Sequence, residues 1–240
     1  MIKKIETYWL EFTRYWALLS RIVLTPVEEV SFRARKDKGM MPCIIFLGWS
    51  LLVWALMIAL MVSEDITDLT RFGVFAIASA ANAVIGYLAY SFAWFVFRYK
   101  GDKQVLMRVG FYFAGLYTVF LGLLFVLQNG AFKVLAPEFY EAYFTALNSC
   151  DNGILEKMRT VGRISAEAPA MQTVNTVLGA TILIGVLIYW ISSIRVYLGV
   201  FHMPRWRCWG SLIFGSVLWV GFILVTWLIL ISLGRPINGC

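Results

Sequence analysis

Charge is what this sequence has least of. Of 240 residues, 15% are charged, against about 25% in an ordinary soluble domain, while 60% are hydrophobic. Histidine occurs once, as His202, which excludes a histidine-rich metal site and the paired histidines of a zincin motif. A phosphate-binding loop and a nucleophile elbow are also missing, and Gly48-Trp49-Ser50 is only a fragment of the latter. Residues 1–40 lack the short apolar core of a cleavable signal peptide, so the first span is expected to act as an uncleaved insertion signal. Cys240 stands last rather than fourth from the end, so no prenylation box is read. None of these readings points to catalysis, a cofactor or a metal. His202 is expected to hydrogen-bond at headgroup level, with pH sensing as its alternative role, and Glu138 and Glu141 to lie on a solvated helix face.

Inside five apolar runs, charge is absent altogether. The runs cover about 43–62, 72–97, 109–127, 175–194 and 210–233. Each is about long enough to cross a hydrocarbon core of ~30 Å as a helix. The expected fold is therefore all-α: a polytopic membrane helix bundle with five transmembrane helices over 42–240, preceded by cytoplasmic interfacial helices in 1–41. The 128–173 link is too long to be structureless. Pro137, an aromatic face of Tyr140, Tyr143 and Phe144, the turn Asp151-Asn152-Gly153 and a second apolar set from Ile154 predict an external helical hairpin over 129–172. Intramembrane ionisable groups usually carry proton relays and ion coupling, so their scarcity counts against a pump.

The basic residues show orientation. Fifteen of the 21 Lys and Arg fall on the side of the N-terminus and six on the other. The positive-inside rule then places the N-terminus in the cytoplasm and the C-terminus outside, in the periplasm if this is a bacterial inner-membrane protein. The net charge of +7 is spread over span ends, which suits anionic headgroups and not a nucleic-acid face. Arg33, Arg35, Lys36 and Lys38 form a basic cluster before the first span, either a stop for translocation or a docking patch.

Residues 5–24 carry Ile5, Tyr8, Trp9, Phe12, Tyr15, Trp16, Leu19, Ile22 and Val23 at helical spacing. With Arg14 and Arg21 off that stripe, an amphipathic helix on the lipid surface is expected, with Tyr8, Trp9, Phe12, Arg14, Trp16 and Arg21 as its contacts. The alternative is that the stripe packs on the bundle. Thr25-Pro26-Val27-Glu28 reads as a capped start of a second short helix. In the second span, Ala76, Ala80, Asn82 and Ala83 are small or polar. Small residues let helix backbones approach in lipid, so this span is expected to be the central one, with Asn82 hydrogen-bonded across helices or touching substrate. The third span also has small positions at Gly110, Ala114, Gly115, Thr118 and Gly122. Cys43 and Cys208 fall near cytoplasmic span ends, whereas Cys150 and Cys240 fall on the opposite side, where a disulfide is permitted.

Leu24-Thr25-Pro26, the short basic helix to Gly39, Pro42, and later Tyr189-Trp190-Ile191-Ser192-Ser193-Ile194-Arg195 with Val200-Phe201-His202 resemble the Yip family of Ypt/Rab-interacting membrane proteins over about residues 20–233. The resemblance implies five spans, a cytosolic N-terminus and a non-enzymatic adaptor or accessory subunit of a membrane protein complex, here of bacterial type. The expected partners are the lipid bilayer and other membrane proteins or a second copy of the chain. The alternative is a component of a lipid or apolar-substrate transporter, which would show a lateral groove lined by Tyr87, Tyr90 and Tyr112.

Overall fold

The computed structural model describes the backbone of residues 2–62, 69–148, 154–201 and 204–232. The side chains of 2–8, 58–62, 69–80, 82–83 and 226–232, and of several positions in 144–158 and at 201, lie outside the described set. Helices account for almost all of the described chain: α1 (Ile2–Leu24), α2 (Pro26–Lys36), α3 (Met41–Val62), α4 (Leu69–Val96), α5 (Lys103–Leu135), α6 (Pro137–Asn148), α7 (Ile154–Glu167), α8 (Pro169–Phe201) and α9 (Arg205–Ser232). Three are long and apolar enough to cross a membrane, within Lys103–Leu135, Pro169–Val200 and Arg205–Val225. Two shorter apolar stretches, Met41–Met57 and Val84–Val96, lie in α3 and α4.

Local chemistry sets the ends of these helices. Pro26, Pro137 and Pro169 each open a helix, where a missing N–H costs nothing. Asp102 caps α5 by accepting from the Gln104 N–H at 2.8 Å. In α2, Glu28 and Glu29 sit in the first turn and Arg33, Arg35 and Lys36 in the last, matching the helix dipole at both ends. Thr25 departs from the expected cap. Its hydroxyl turns back to the Arg21 carbonyl at 3.1 Å, because α1 runs up to Leu24 and offers that acceptor first.

Two helix pairs make the bundle. In the first, α3 lies along α5 at close range. A Cβ on Gly115 would stand 2.7 Å from a Phe46 ring carbon and 2.9 Å from the Ser50 hydroxyl. One on Gly122, two turns further, would meet Trp54 at 3.0 Å and Met57 at 3.1 Å. In the second pair, α4 lies along α9. Tyr90 shares a 2.8 Å hydrogen bond with Ser216, and the Phe97 ring covers Gly210. Helix α8 joins the pairs: Phe120 of α5 lies over Gly185, and the Tyr189 ring meets those of Phe113 and Tyr117 at 5.4 and 5.5 Å.

The central helix is α5, which touches α1, α2, α3, α4, α6 and α8. This differs from the expectation for the second span. The described part of that span, in α4, leaves Val84, Leu88, Phe92, Phe95 and Val96 exposed, while Leu106, Val109, Tyr112 and Phe113 of α5 are buried. Glycines at 115 and 122 allow the close approach of α3 to α5. The side chains of Ala76, Ala80, Asn82 and Ala83 lie outside the described residues.

The two ends of the bundle differ. At one end, α2 buries Val30 and Ala34 against α5 and α8, and Arg35 donates to the Gly199 carbonyl at 2.8 Å. At the other, α6 and α7 close on a separate cluster of Phe132, Ala136, Ala168 and Met171. Gln128 donates to Asn175 at 2.7 Å, and Asn175 to Ser165 at 2.8 Å. These bonds satisfy amides within otherwise apolar helices, so α5 and α8 continue through positions expected to be links. At about 1.5 Å per residue, the 33 residues of α5 extend ~50 Å, beyond a ~30 Å hydrocarbon core.

Candidate functional site: an aromatic cleft between the helix pairs

Where the α3–α5 pair faces the α4–α9 pair, the helices diverge around a cavity of about 410 Å³. This falls within the range of ligand pockets, roughly 300–1,000 Å³. Each helix contributes a stripe at helical spacing: Leu47, Leu51 and Trp54 from α3; Tyr87, Tyr90 and Trp94 from α4; Met107, Ala114 and Tyr117 from α5; Tyr189, Ser193 and Tyr197 from α8; Leu212, Ser216 and Trp219 from α9. Among the described residues no Asp, Glu, Lys, Arg or His lines it. Its polar atoms are hydroxyls and indole nitrogens, several already bonded: Tyr90 with Ser216, Thr118 to the Ala114 carbonyl at 2.8 Å, and Ser193 to the Tyr189 carbonyl at 2.8 Å. The surface is thus apolar with hydroxyl punctuation. It can hold a hydrocarbon chain but has no group to balance a buried charge.

The cleft occupies the half of the bundle nearer α2. Its lining comes from the second halves of α4 and α8 and from the first halves of α3, α5 and α9, reaching just past their midpoints at Trp54, Leu121 and Val220. Contact between α4 and α5 is sparse. There the Tyr87 and Phe111 rings stack at 6.2 Å, and Tyr87 is partly exposed, so these two aromatics form one wall between the cleft and the outside.

Of the three tyrosines expected to line a groove, Tyr87 and Tyr90 do so and Tyr112 does not. Tyr112 is fully buried on the other side of α5, where its hydroxyl donates to the Asp37 carboxylate. Asp37 also lies 3.9 Å from Arg33. Beside it, buried Arg108 donates to the Gln104 carbonyl at 3.3 Å and reaches Asp102 at 3.7 Å. These contacts seal the α2 end of the α3–α5 seam with paired charges.

Helix α1 divides its aromatic stripe. Tyr15, Leu19 and Ile22 are buried, with the Tyr15 hydroxyl 3.2 Å from Ser50 and its ring beside Phe46. Burial raises the Tyr15 phenol above its ordinary pKa, with the Ser50 bond opposing. Phe12 packs on Trp49. Trp9 is 67% exposed and Trp16 41%, with Arg14 and Arg21 also exposed and Arg14 paired with Glu11 at 2.9 Å. The side chain of Tyr8 lies outside the described residues. One edge of the stripe is packed on the bundle, and the other remains outward.

Cys43 and Cys208 are free and buried. Cys150 and Cys240, considered for a disulfide, and His202 lie outside the described residues. Among the described residues no three metal-ligating side chains come together.

The cleft was not singled out in full by sequence. Its signal was present: Tyr87, Tyr90 and Trp94 fall at i, i+3, i+7, as do Trp190, Ser193 and Tyr197. In helices apolar all round, such a stripe has no polar background to stand against. No protein-family model matches the chain, and comparison with curated proteins and with solved structures found no match.

Proposed function

We propose that this is a polytopic integral membrane protein that holds an apolar chain, of a lipid or a similar substrate, in the cleft between its two helix pairs. The observation that carries this reading is the cleft itself: about 410 Å³, aromatic, and lined, among the described residues, without a single ionisable acid, amine or imidazole. Such a lining suits retention of a hydrocarbon and not acid–base chemistry, so the reading is non-enzymatic. Of the two sequence expectations, it favours a lipid or apolar-substrate component over an adaptor.

In this reading α3, α4, α5, α8 and α9 are the five spans, with the charge bias placing α1 and α2 in the cytoplasm and α6–α7 outside. The outward Trp9 and Trp16 edge of α1 would rest on the inner leaflet, since indole rings favour the headgroup zone. An adaptor role has one observation in its favour. Phe32 of α2 is half exposed beside Lys36, whose ammonium lies 4.9 Å from its ring, which leaves an aromatic-basic face free for a protein partner.

The test is photolabelling of the purified protein with a diacylglycerol carrying a diazirine in its chain. Label is expected on peptides bearing Tyr87, Trp94, Tyr117 and Trp219. Label confined to outward residues such as Leu183, Leu187 and Val217 would reject the cleft as a binding site.

A further inference from the structure

Beyond the α2 end of the cleft, past the buried Trp94, Tyr197 and Leu212, the chain carries a basic corner. Trp94, Met107, Tyr197 and Leu212 are the lining residues nearest that end. About one turn beyond Trp94, the α4–α5 link carries Arg98 and Lys100, and Lys103 starts α5. Arg207 and Arg205 open α9 about one and a half and two turns before Leu212. The two segments lie side by side, with the Phe97 ring covering Gly210.

Three features separate this corner from ordinary positive charge at span ends. Arg98, Lys100, Lys103 and Arg205 are exposed, and none makes an ion pair among the described residues. The neighbouring carboxylate, Asp102, is already engaged by the Gln104 N–H and by Arg108. Arg98 stands at φ 53°, in the left-handed position that closes α4, with its own N–H bonded to the Phe95 carbonyl and the Tyr99 N–H to the Trp94 carbonyl. Glycine is the usual residue there, and a side chain costs roughly 1–2 kcal/mol. The turn thus tolerates strain while presenting an exposed guanidinium about one turn beyond Trp94 of the cleft lining.

A chain-binding cleft without charge, with unpaired cations beyond its end, matches an amphiphile with both parts. We infer that the cleft takes a membrane phospholipid whose anionic phosphate headgroup is held by Arg98, Lys100, Lys103 and Arg205 while an acyl chain fills the aromatic cavity. This rests on the cleft reading above and adds headgroup selection to it. A guanidinium offers paired donors to phosphate oxygens, and the lysines add charge.

The experiment compares three diazirine-chain probes with identical acyl chains: phosphatidylglycerol, phosphatidylcholine and diacylglycerol. In the wild-type protein, phosphatidylglycerol is expected to label the cleft peptides about tenfold more efficiently than phosphatidylcholine, the factor that a preference of about 1.4 kcal/mol gives. In the triple variant Arg98→Gln, Lys100→Gln, Arg205→Gln, that preference should vanish while diacylglycerol labelling persists, which also shows that the variant is folded. Equal labelling by the two phospholipids in the wild type, with diacylglycerol still in the cleft, overturns the headgroup site and leaves the cleft standing. Preference surviving in the triple variant overturns it too. Displacement of the anionic lipid by inorganic phosphate at matched concentration would make the corner a soluble-phosphate site and overturn the lipid assignment. Absence of cleft label from all three probes overturns the cleft and the headgroup site together.

Discussion

The seam between α3 and α5 and the cleft between the two helix pairs are built on adjoining faces of one helix. Gly115 faces the seam, and Ala114, its neighbour in sequence, faces the cleft. At the seam the smallest residue admits the Phe46 ring and the Ser50 hydroxyl. At the cleft, large rings stand around a space they do not fill, among them Trp54, Tyr90, Trp94 and Trp219. In lipid, helices gain no hydrophobic drive from associating, so close approach through small residues is what holds them. Large aromatics do the reverse and keep backbones apart. The seam is thus the holding surface and the cleft the open one, and substitutions on the two faces of α5 should behave differently.

The largest expected effect is at the seam. Gly115→Leu puts a branched side chain where even a Cβ would stand 2.7 Å from Phe46, and both Phe46 and Ser50 are already buried. The helices must separate, at a cost of about 3 kcal/mol or more. Thermal unfolding in detergent should show a large loss, or the protein should fail to accumulate. A near-normal midpoint would break the contrast between seam and cleft.

Next in size is the polar closure of the seam. Tyr112→Phe removes the donor to Asp37, whose other contact is Arg33 at 3.9 Å. Leaving that largely buried carboxylate short of a partner should cost roughly 1–3 kcal/mol. Asp37→Asn in the same chain should make the second substitution much cheaper, since the two groups act as a pair. Strict additivity in the double variant would show that the pair does not act as a unit.

A smaller effect of opposite sign is expected at the turn beyond the cleft. Arg98→Gly relieves the left-handed strain at φ 53°. Stability should rise by about 1 kcal/mol, offset in part by the greater freedom of glycine in the unfolded chain. A loss of stability would mean that the guanidinium is held by the fold and is not free at that turn.

The sequence carried some of this more plainly than the rest. The helix starts at Pro137 and Pro169 are written in residues with a fixed local effect, and the apolar runs follow from composition. The continuation of α5 to Leu135 was not visible, because Gln128 and Asn129 look like link residues until each finds a partner. Gln128 finds Asn175, and Asn129 finds the Phe125 carbonyl at 2.8 Å. The choice of central helix was not visible either. Two spans carried small residues, and the sequence does not show that Gly115 and Gly122 are packed against Phe46, Ser50, Trp54 and Met57. Likewise, Tyr112 and Tyr117 are both tyrosines on α5. One is fixed to Asp37 and the other lines the cleft, because five positions on a helix turn a side chain to the opposite side of it.

The smallest effect on stability, and the most telling, is expected at Ala114. Ala114→Leu adds three carbons on the cleft side, where the space is already there. Nothing needs to separate, and the gain in contact with neighbouring rings offsets the ordering of the new side chain. The unfolding midpoint should stay within the equivalent of about 0.5 kcal/mol of the wild type, as for a substitution that breaks no contact. The cleft labelling by the diazirine probes should nevertheless fall several-fold, since the added side chain occupies the space the acyl chain needs. Gly115→Leu, one residue away, should lose stability first. If instead Ala114→Leu unfolds the protein as readily as Gly115→Leu, then the cleft is a packed surface and no site for a chain. If it leaves both stability and labelling unchanged, the acyl chain binds elsewhere on the bundle.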